Sequence, residues 1–118
     1  MLVNAAEVFA ACSAEATGAQ WSIAGETRQF DVNLVRLPAD GVIEMHEGPD
    51  VDVLWLVVDG SGTLFADDGP RTVRGGDLIW LPRARRRGIS AGPRGVGYVT
   101  VHQRRQSLQL AAPPRARE

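Results

Sequence analysis

From Trp21 onward the chain alternates short apolar runs with glycine, proline and aspartate, and no run keeps a helical period. In "RQFDVNLVRL" (28–37), Phe30, Val32 and Leu34 alternate with Asp31, Asn33 and Val35, the period of a half-buried strand. "PADG" (38–41) predicts a turn, and "VIEMHE" (42–47) a short strand with Glu44 and His46 on one face and Met45 on the other. After a turn at "GPD" (48–50), "VDVLWLVVDG" (51–60) is apolar on both faces and predicts a central or doubly covered strand. "DGSG" (59–62) is expected to turn the chain so that "TLFA" (63–66) returns, with "DDGP" (67–70) as a hairpin tip. "RTV" (71–73) is short, and "GGDLIWLP" (75–82) is a strand closed by proline. "RARRRGIS" (83–90) reads as a polar loop entering a strand, "GPRG" (92–95) as a turn, and "VGYVTVHQ" (96–103) as the last long strand. Ahead of these, "NAAEVFAA" (4–11) predicts a short helix, with Asn4 as N-cap and Glu7 in the capping-box position. The tail from 111, "AAPPRARE", reads as frayed or extended. Strands recurring about every 8–12 residues with turns between them indicate an all-β sandwich or barrel. The lack of intervening helical patterns argues against a parallel α/β sheet.

Composition narrows the class. The 118 residues fit one domain, long enough to bury a core without disulfide or metal staples. No apolar run approaches the roughly 20 residues that span a bilayer. The N-terminus "MLVNAAEVFAACSAE" lacks a basic start and carries Glu7, so it is a poor signal peptide. The one cysteine, Cys12, excludes an internal disulfide and reads as a small apolar residue on the helix. A cytoplasmic protein with no membrane partner is the expectation.

All thirteen basic residues are arginine, a composition that suits a GC-rich genome. Residues 1–59 hold ten acids and two arginines, net −8; residues 60–118 hold eleven arginines and four acids, net +7. The total is −1, so the halves neutralise each other when folded together. This argues against two independent domains, and against nucleic acid as a partner, which requires an uncompensated basic face. The expected organisation is an N-terminal segment (1–29) packing on a barrel (30–110), followed by a flexible tail (111–118).

The candidate chemistry centres on "EMHEGPDVD" (44–52), where His46 lies among four carboxylates. The order of glycines, strand and prolines here resembles the cupin superfamily, a small jelly-roll barrel. The first cupin motif is a glycine, five residues, His-x-His, three or four residues, Glu, six residues, and a glycine. In this chain Gly41 precedes His46 with four residues between them, and Gly60 closes the following strand. The second motif is a glycine, five residues, Pro-x-Gly, two residues and His. Gly76, "DLIWL", Pro82 and the run to Arg87 keep that frame. The resemblance covers residues 30–103. It implies a jelly-roll barrel, often dimeric, and the two-faced strand 51–58 suits a homodimer.

In metal-binding cupins, two histidines and a glutamate from the first motif and a histidine from the second hold iron, manganese, nickel, copper or zinc. By this correspondence the first histidine is His46, the second position is Gly48, the glutamate falls on Val53 with Asp52 one place off, and the last histidine falls on Arg87. A divalent metal usually takes at least three protein ligands. No metal or other cofactor is therefore expected. A rebuilt site would have to use His46, His102 and Asp52, a facial triad suited to an oxygenase.

What replaced the ligands suggests other chemistry. Arg87 presents a permanently charged planar fork to a carboxylate, phosphate, enolate or phenolate. His46 then serves as general acid or base, oriented by Glu44 or Asp52. Trp55 and Trp80 are candidate walls of the ligand cavity, with His102 beside them. The first reading is a metal-free cupin that binds a small anionic or enolisable organic molecule, with proton-transfer chemistry of the isomerase or cyclase kind. The alternatives are the metal-dependent oxygenase and a non-catalytic ligand-sensing module. Structural readings stand beside these: Arg87 pairing with Asp50 or Asp52 across the barrel mouth, Arg83, Arg85 and Arg86 as a solvated loop, and His102 on either face of its strand.

Overall fold

The computed structural model describes residues 1–104. The expected tail (111–118) and the last expected barrel residues (105–110) lie outside the described residues. The helix forms as α1 (Ala5–Ala11), and the Asn4 side chain caps it by accepting from the Glu7 N–H at 3.0 Å. One helix this short does not persist by itself. Phe9 anchors it on the sheet by laying its ring over Gly97, where an added Cβ would stand 2.8 Å from the ring. Seven strands follow: β1 (Gly18–Ser22), β2 (Phe30–Leu37), β3 (Val42–Glu47), β4 (Val53–Ala66), β5 (Gly69–Arg74), β6 (Leu78–Leu81) and β7 (Arg86–Gln103). All pairings are antiparallel.

β4 and β7 pair with each other along most of their length, and each bends midway to serve two halves of one folded-over sheet. In one half the order is β1-β2-β7-β4-β6, using β7 from Val96 and β4 up to Leu56. In the other it is β3-β7-β4-β5, using β7 up to Ser90 and β4 from Ser61. The acidic first half of the chain and the arginine-rich second half thus share one sheet, joined where β2 and β3 pair with β7. The two inner faces enclose one core that includes Val53, Val57, Leu64, Val73, Ile89 and Val96. No helix among the described residues is long and apolar enough to cross a membrane.

The turns expected at 59–62 and 92–95 do not reverse the chain. They are corners within β4 and β7, where the register shifts between Val57 and Asp59 and again between Gly60 and Gly62. Gly60 (φ 72°) and Gly95 (φ 82°) take the left-handed backbone that these bulged corners require. Glycine-rich stretches mark either a reversal or a bulge, and only the long-range partner decides between them.

The outward face of the first half is apolar. Leu54 and Leu56 on β4 pair with Trp80 and Leu78 on β6, and all four side chains are exposed.

Candidate functional site

Two close backbone approaches shape the site. β3 carries an extra residue between Ile43 and His46, since three steps on β3 oppose two on β7, from Ile89 to Arg87. The bulge breaks strict alternation, so Ile43 and His46 both line one open cavity. Glu44, expected to share the face of His46, is exposed and does not line that cavity. Gly88 permits the bulge, because a Cβ there would meet the Ile43 carbonyl oxygen at 2.7 Å and the Met45 nitrogen at 2.8 Å.

The second approach joins the loop after β3 to the loop before β7. Gly48 N–H donates to the Arg85 carbonyl (3.0 Å), Ala84 N–H to the Pro49 carbonyl (2.7 Å), and Arg83 N–H to the Asp52 carboxylate (2.9 Å). Part of the arginine run is therefore held by its backbone, and β7 begins within it at Arg86. Asp52 belongs to this clasp and does not line the cavity with His46.

The clasp seats Arg87 over Gly48. A Cβ on Gly48 would lie 2.6 Å from Arg87 Cζ and collide with Nη1 as well. Two positions that carry metal-binding histidines in the cupin motif are thus filled by a cooperating pair, a glycine that leaves room and an arginine that uses it. Arg87 is 7% exposed, and its Nη1 is buried with no hydrogen-bond partner. The Asp52 carboxylate accepts from the Arg83 N–H in the clasp, so the expected pairing of Arg87 with Asp52 is not the arrangement adopted. Burial lowers the Arg87 pKa from its ordinary value, an effect the neighbouring Tyr98 partly opposes. An arginine remains charged under these conditions, leaving a desolvated cation with an unused donor.

The cavity, about 260 Å³, is lined by Arg87, both histidines, Trp55, Tyr98 and Thr100, among others. His46 and Arg87 are direct cross-strand partners, and His102 opposes Val53. His46 Nδ1 lies 2.9 Å from the Glu44 carbonyl oxygen, and His102 Nδ1 lies 2.9 Å from the Gln103 carbonyl oxygen. A carbonyl only accepts, so each Nδ1 carries a proton, which leaves Nε2 as the nitrogen free to exchange one. The His46 ring is therefore oriented by the backbone of Glu44, in place of a carboxylate. Trp55 and Tyr98 stack with centroids 4.2 Å apart at 23° and form one wall. Trp80 does not face this cavity. It lines a separate groove of about 550 Å³ between β6 and the β4–β5 hairpin.

Tyr98 and Thr100 have no counterpart among the residues singled out from sequence. They share the inner face of β7 with His102, at alternate positions. Burial raises the Tyr98 pKa from 10.0 to about 12, against a smaller lowering by Arg87. Tyr98 is the chain's one tyrosine, so tyrosinate absorbance reports it alone. An alkaline titration is expected to give a midpoint near 12 while the near-ultraviolet dichroism stays native. Arg87→Met should move that midpoint higher, because a nearby cation favours the phenolate. A lower midpoint in the variant would contradict the Arg87–Tyr98 contact. The sign for stability follows from linkage: the neutral phenol is favoured in the fold. Its contribution of about 2–3 kcal/mol is complete below about pH 10 and is lost as pH rises towards about 12.

The donor set does not suit a metal of the cupin kind. Among the described residues no group of three His, Cys, Asp or Glu side chains could hold an ion. His46 and His102 share the cavity, but Asp52 is turned into the loop clasp and the fixed cation of Arg87 lines the same space.

No protein-family model matches the chain, and no curated protein matches it in sequence. Solved structures do share its fold. A cupin-2 domain protein from Shewanella frigidimarina superposes with a TM-score of 0.67 at 17% identity, over 87% of this chain and 95% of that one. The polyketide cyclase RemF from Streptomyces resistomycificus gives 0.58 at 22% identity, over 64% of this chain and 54% of the cyclase. A sugar phosphate isomerase of the cupin superfamily from Silicibacter pomeroyi gives 0.60 at 23% identity, over 66% of this chain and 52% of the isomerase. The match therefore spans only about half the length of the two enzymes.

Proposed function

Starting from the fact that this chain has the cupin-type jelly-roll fold, we propose that its cavity binds a small organic anion without a metal, with Arg87 as the anchor. The observation that carries this reading is Arg87 itself, a cation among the residues lining the cavity whose buried Nη1 meets no acceptor in the protein. A buried donor without a partner costs about 1–3 kcal/mol, and a carboxylate, enolate or phenolate oxygen would satisfy it. Trp55 and Tyr98 would hold the flat body of the ligand. We further propose proton transfer as the chemistry. Nε2 of His46 or His102 would take a proton from carbon beside a carbonyl. Arg87 would hold the resulting enolate oxygen; the proton would return at another carbon, giving isomerisation, or the enolate carbon would add to a second carbonyl of the same molecule and the proton would go to the alkoxide formed, giving ring closure. A polyketide cyclase and a sugar phosphate isomerase with this fold are consistent with those reaction classes.

The test is a thermal-shift screen with small carboxylic and enolisable acids. Compounds that bind should raise the melting temperature of the wild type and leave an Arg87 variant unmoved. Stabilisation that survives loss of the guanidinium would refute the anchor.

The exposed Leu54 and Leu56 support a homodimer through the β4 side of the outer face, one that leaves Leu78 and Trp80 at the β6 edge to the groove beside them. Sedimentation velocity should give a dimer for the wild type and a monomer for Leu54→Glu. A monomeric wild type at micromolar concentration would reject this contact.

A further inference from the structure

The smaller cavity and the larger groove have a single lining residue in common, Arg87. The cavity, at about 260 Å³, lies just below the roughly 300–1,000 Å³ of ordinary ligand pockets, so a small flat body fills it. The groove is larger and has apolar walls, with Leu78 66% and Trp80 65% exposed. Asp68 and Arg71 pair with each other at 2.9 Å, and Asp67, Arg85, Arg86 and Arg87 line it as well, so cations outnumber carboxylates. Trp80 thus stands on the groove while Trp55 and Tyr98 stand in the cavity, and the unpartnered guanidinium borders both.

We infer that the ligand carries its negative group in mid-molecule, between a flat body that enters the cavity and an apolar arm that lies in the groove along Leu78 and Trp80. An anion at one end of a molecule could meet Arg87 from one side only and would leave the other space unused. An ortho-substituted aromatic acid and the enolate of an unsymmetrical 1,3-dicarbonyl compound have the required layout. This deepens the anion-binding reading and rests on it, because Arg87 is the shared contact.

Three probes separate the possibilities: 2-methoxybenzoate, 2-octyloxybenzoate and 4-octyloxybenzoate, titrated calorimetrically against the full chain. In the 2-isomers the arm leaves beside the carboxylate and reaches the groove; in the 4-isomer it leaves on the far side of the ring. The 2-octyloxy compound is expected to bind at least tenfold tighter than the 2-methoxy compound, since each buried methylene adds to the affinity. The 4-octyloxy compound should show no such gain, and Trp80→Ala should bring the ratio of the two 2-isomers towards one. If 2-methoxybenzoate binds through Arg87 but the longer arm adds nothing, or adds as much from position 4, the mid-molecule inference is wrong while the anion site stands. If none of the three binds, the anion site and the inference built on it both fall.

Discussion

Arg87→Met is expected to melt at a higher temperature than the wild type while losing all response to organic acids. The two effects have opposite signs because one feature causes both. In the free protein the Arg87 guanidinium is buried, and Nη1 donates to nothing. Replacing it by an apolar side chain of similar length removes a desolvation cost of about 1–3 kcal/mol. In a domain of this size that corresponds to a rise of roughly 4 °C or more. The same change removes a charge-assisted fork. Its loss should weaken binding by a factor of about ten to several hundred, from roughly 1.5–3 kcal/mol per charged hydrogen bond. Calorimetric melting with and without an acid reads both quantities. A variant that is destabilised, or that still responds to acids, would mean that Arg87 holds the barrel together and does not serve a ligand. Gly48→Ala provides an independent check, since its methyl group would push the guanidinium aside without removing the charge.

Gly60→Ala should be the most damaging single-methyl change in the described fold. Gly60 has φ 72°, which for an L residue costs about 1–2 kcal/mol. In addition its new Cβ would collide with the Gly95 carbonyl oxygen and lie 3.2 Å from Val96 Cα, both on the neighbouring strand. Backbone atoms cannot swing away as a flexible side chain can, so the corner where β4 and β7 bend together would have to open. Gly76→Ala isolates the first cost, because Gly76 has φ 96° and nothing within 4 Å of its would-be Cβ. Chemical denaturation is expected to show a loss of about 1 kcal/mol for Gly76→Ala and at least about 3 kcal/mol for Gly60→Ala. Equal losses would show that the collision with β7 is not real.

Much of this architecture was legible in the chain. The period-two pattern of 28–37 gave β2, the capping residues Asn4 and Glu7 gave α1, and "DDGP" gave the β4–β5 hairpin. The glycine and proline frame brought His46 and Arg87 to neighbouring positions, and the structure makes them cross-strand partners. β7 was harder to orient. Its faces carry Val96, Tyr98, Thr100 and His102 on one side and Gly97, Val99, Val101 and Gln103 on the other. The habit of turning the more apolar face inward would choose the second set. The fold does the reverse: Val96 and Tyr98 join the core, Thr100 and His102 line the cavity, and Leu54 and Leu56 lie beside those valines on the outside.

The sequence by itself determined what is local: which segments extend, where the chain can bend, and which two residues a barrel frame would bring together. Those outcomes depend on backbone freedom and on periodicity over a few residues. The tertiary structure decided what depends on distant partners. The β3 bulge against Gly88 put His46 on the rim of the cavity and left Glu44 out of it. The clasp of the two loops took Asp52 out of the site and laid Arg87 over Gly48. A carboxylate or a guanidinium pairs with whatever the fold brings within about 3 Å of it, and linear spacing carries no record of that distance.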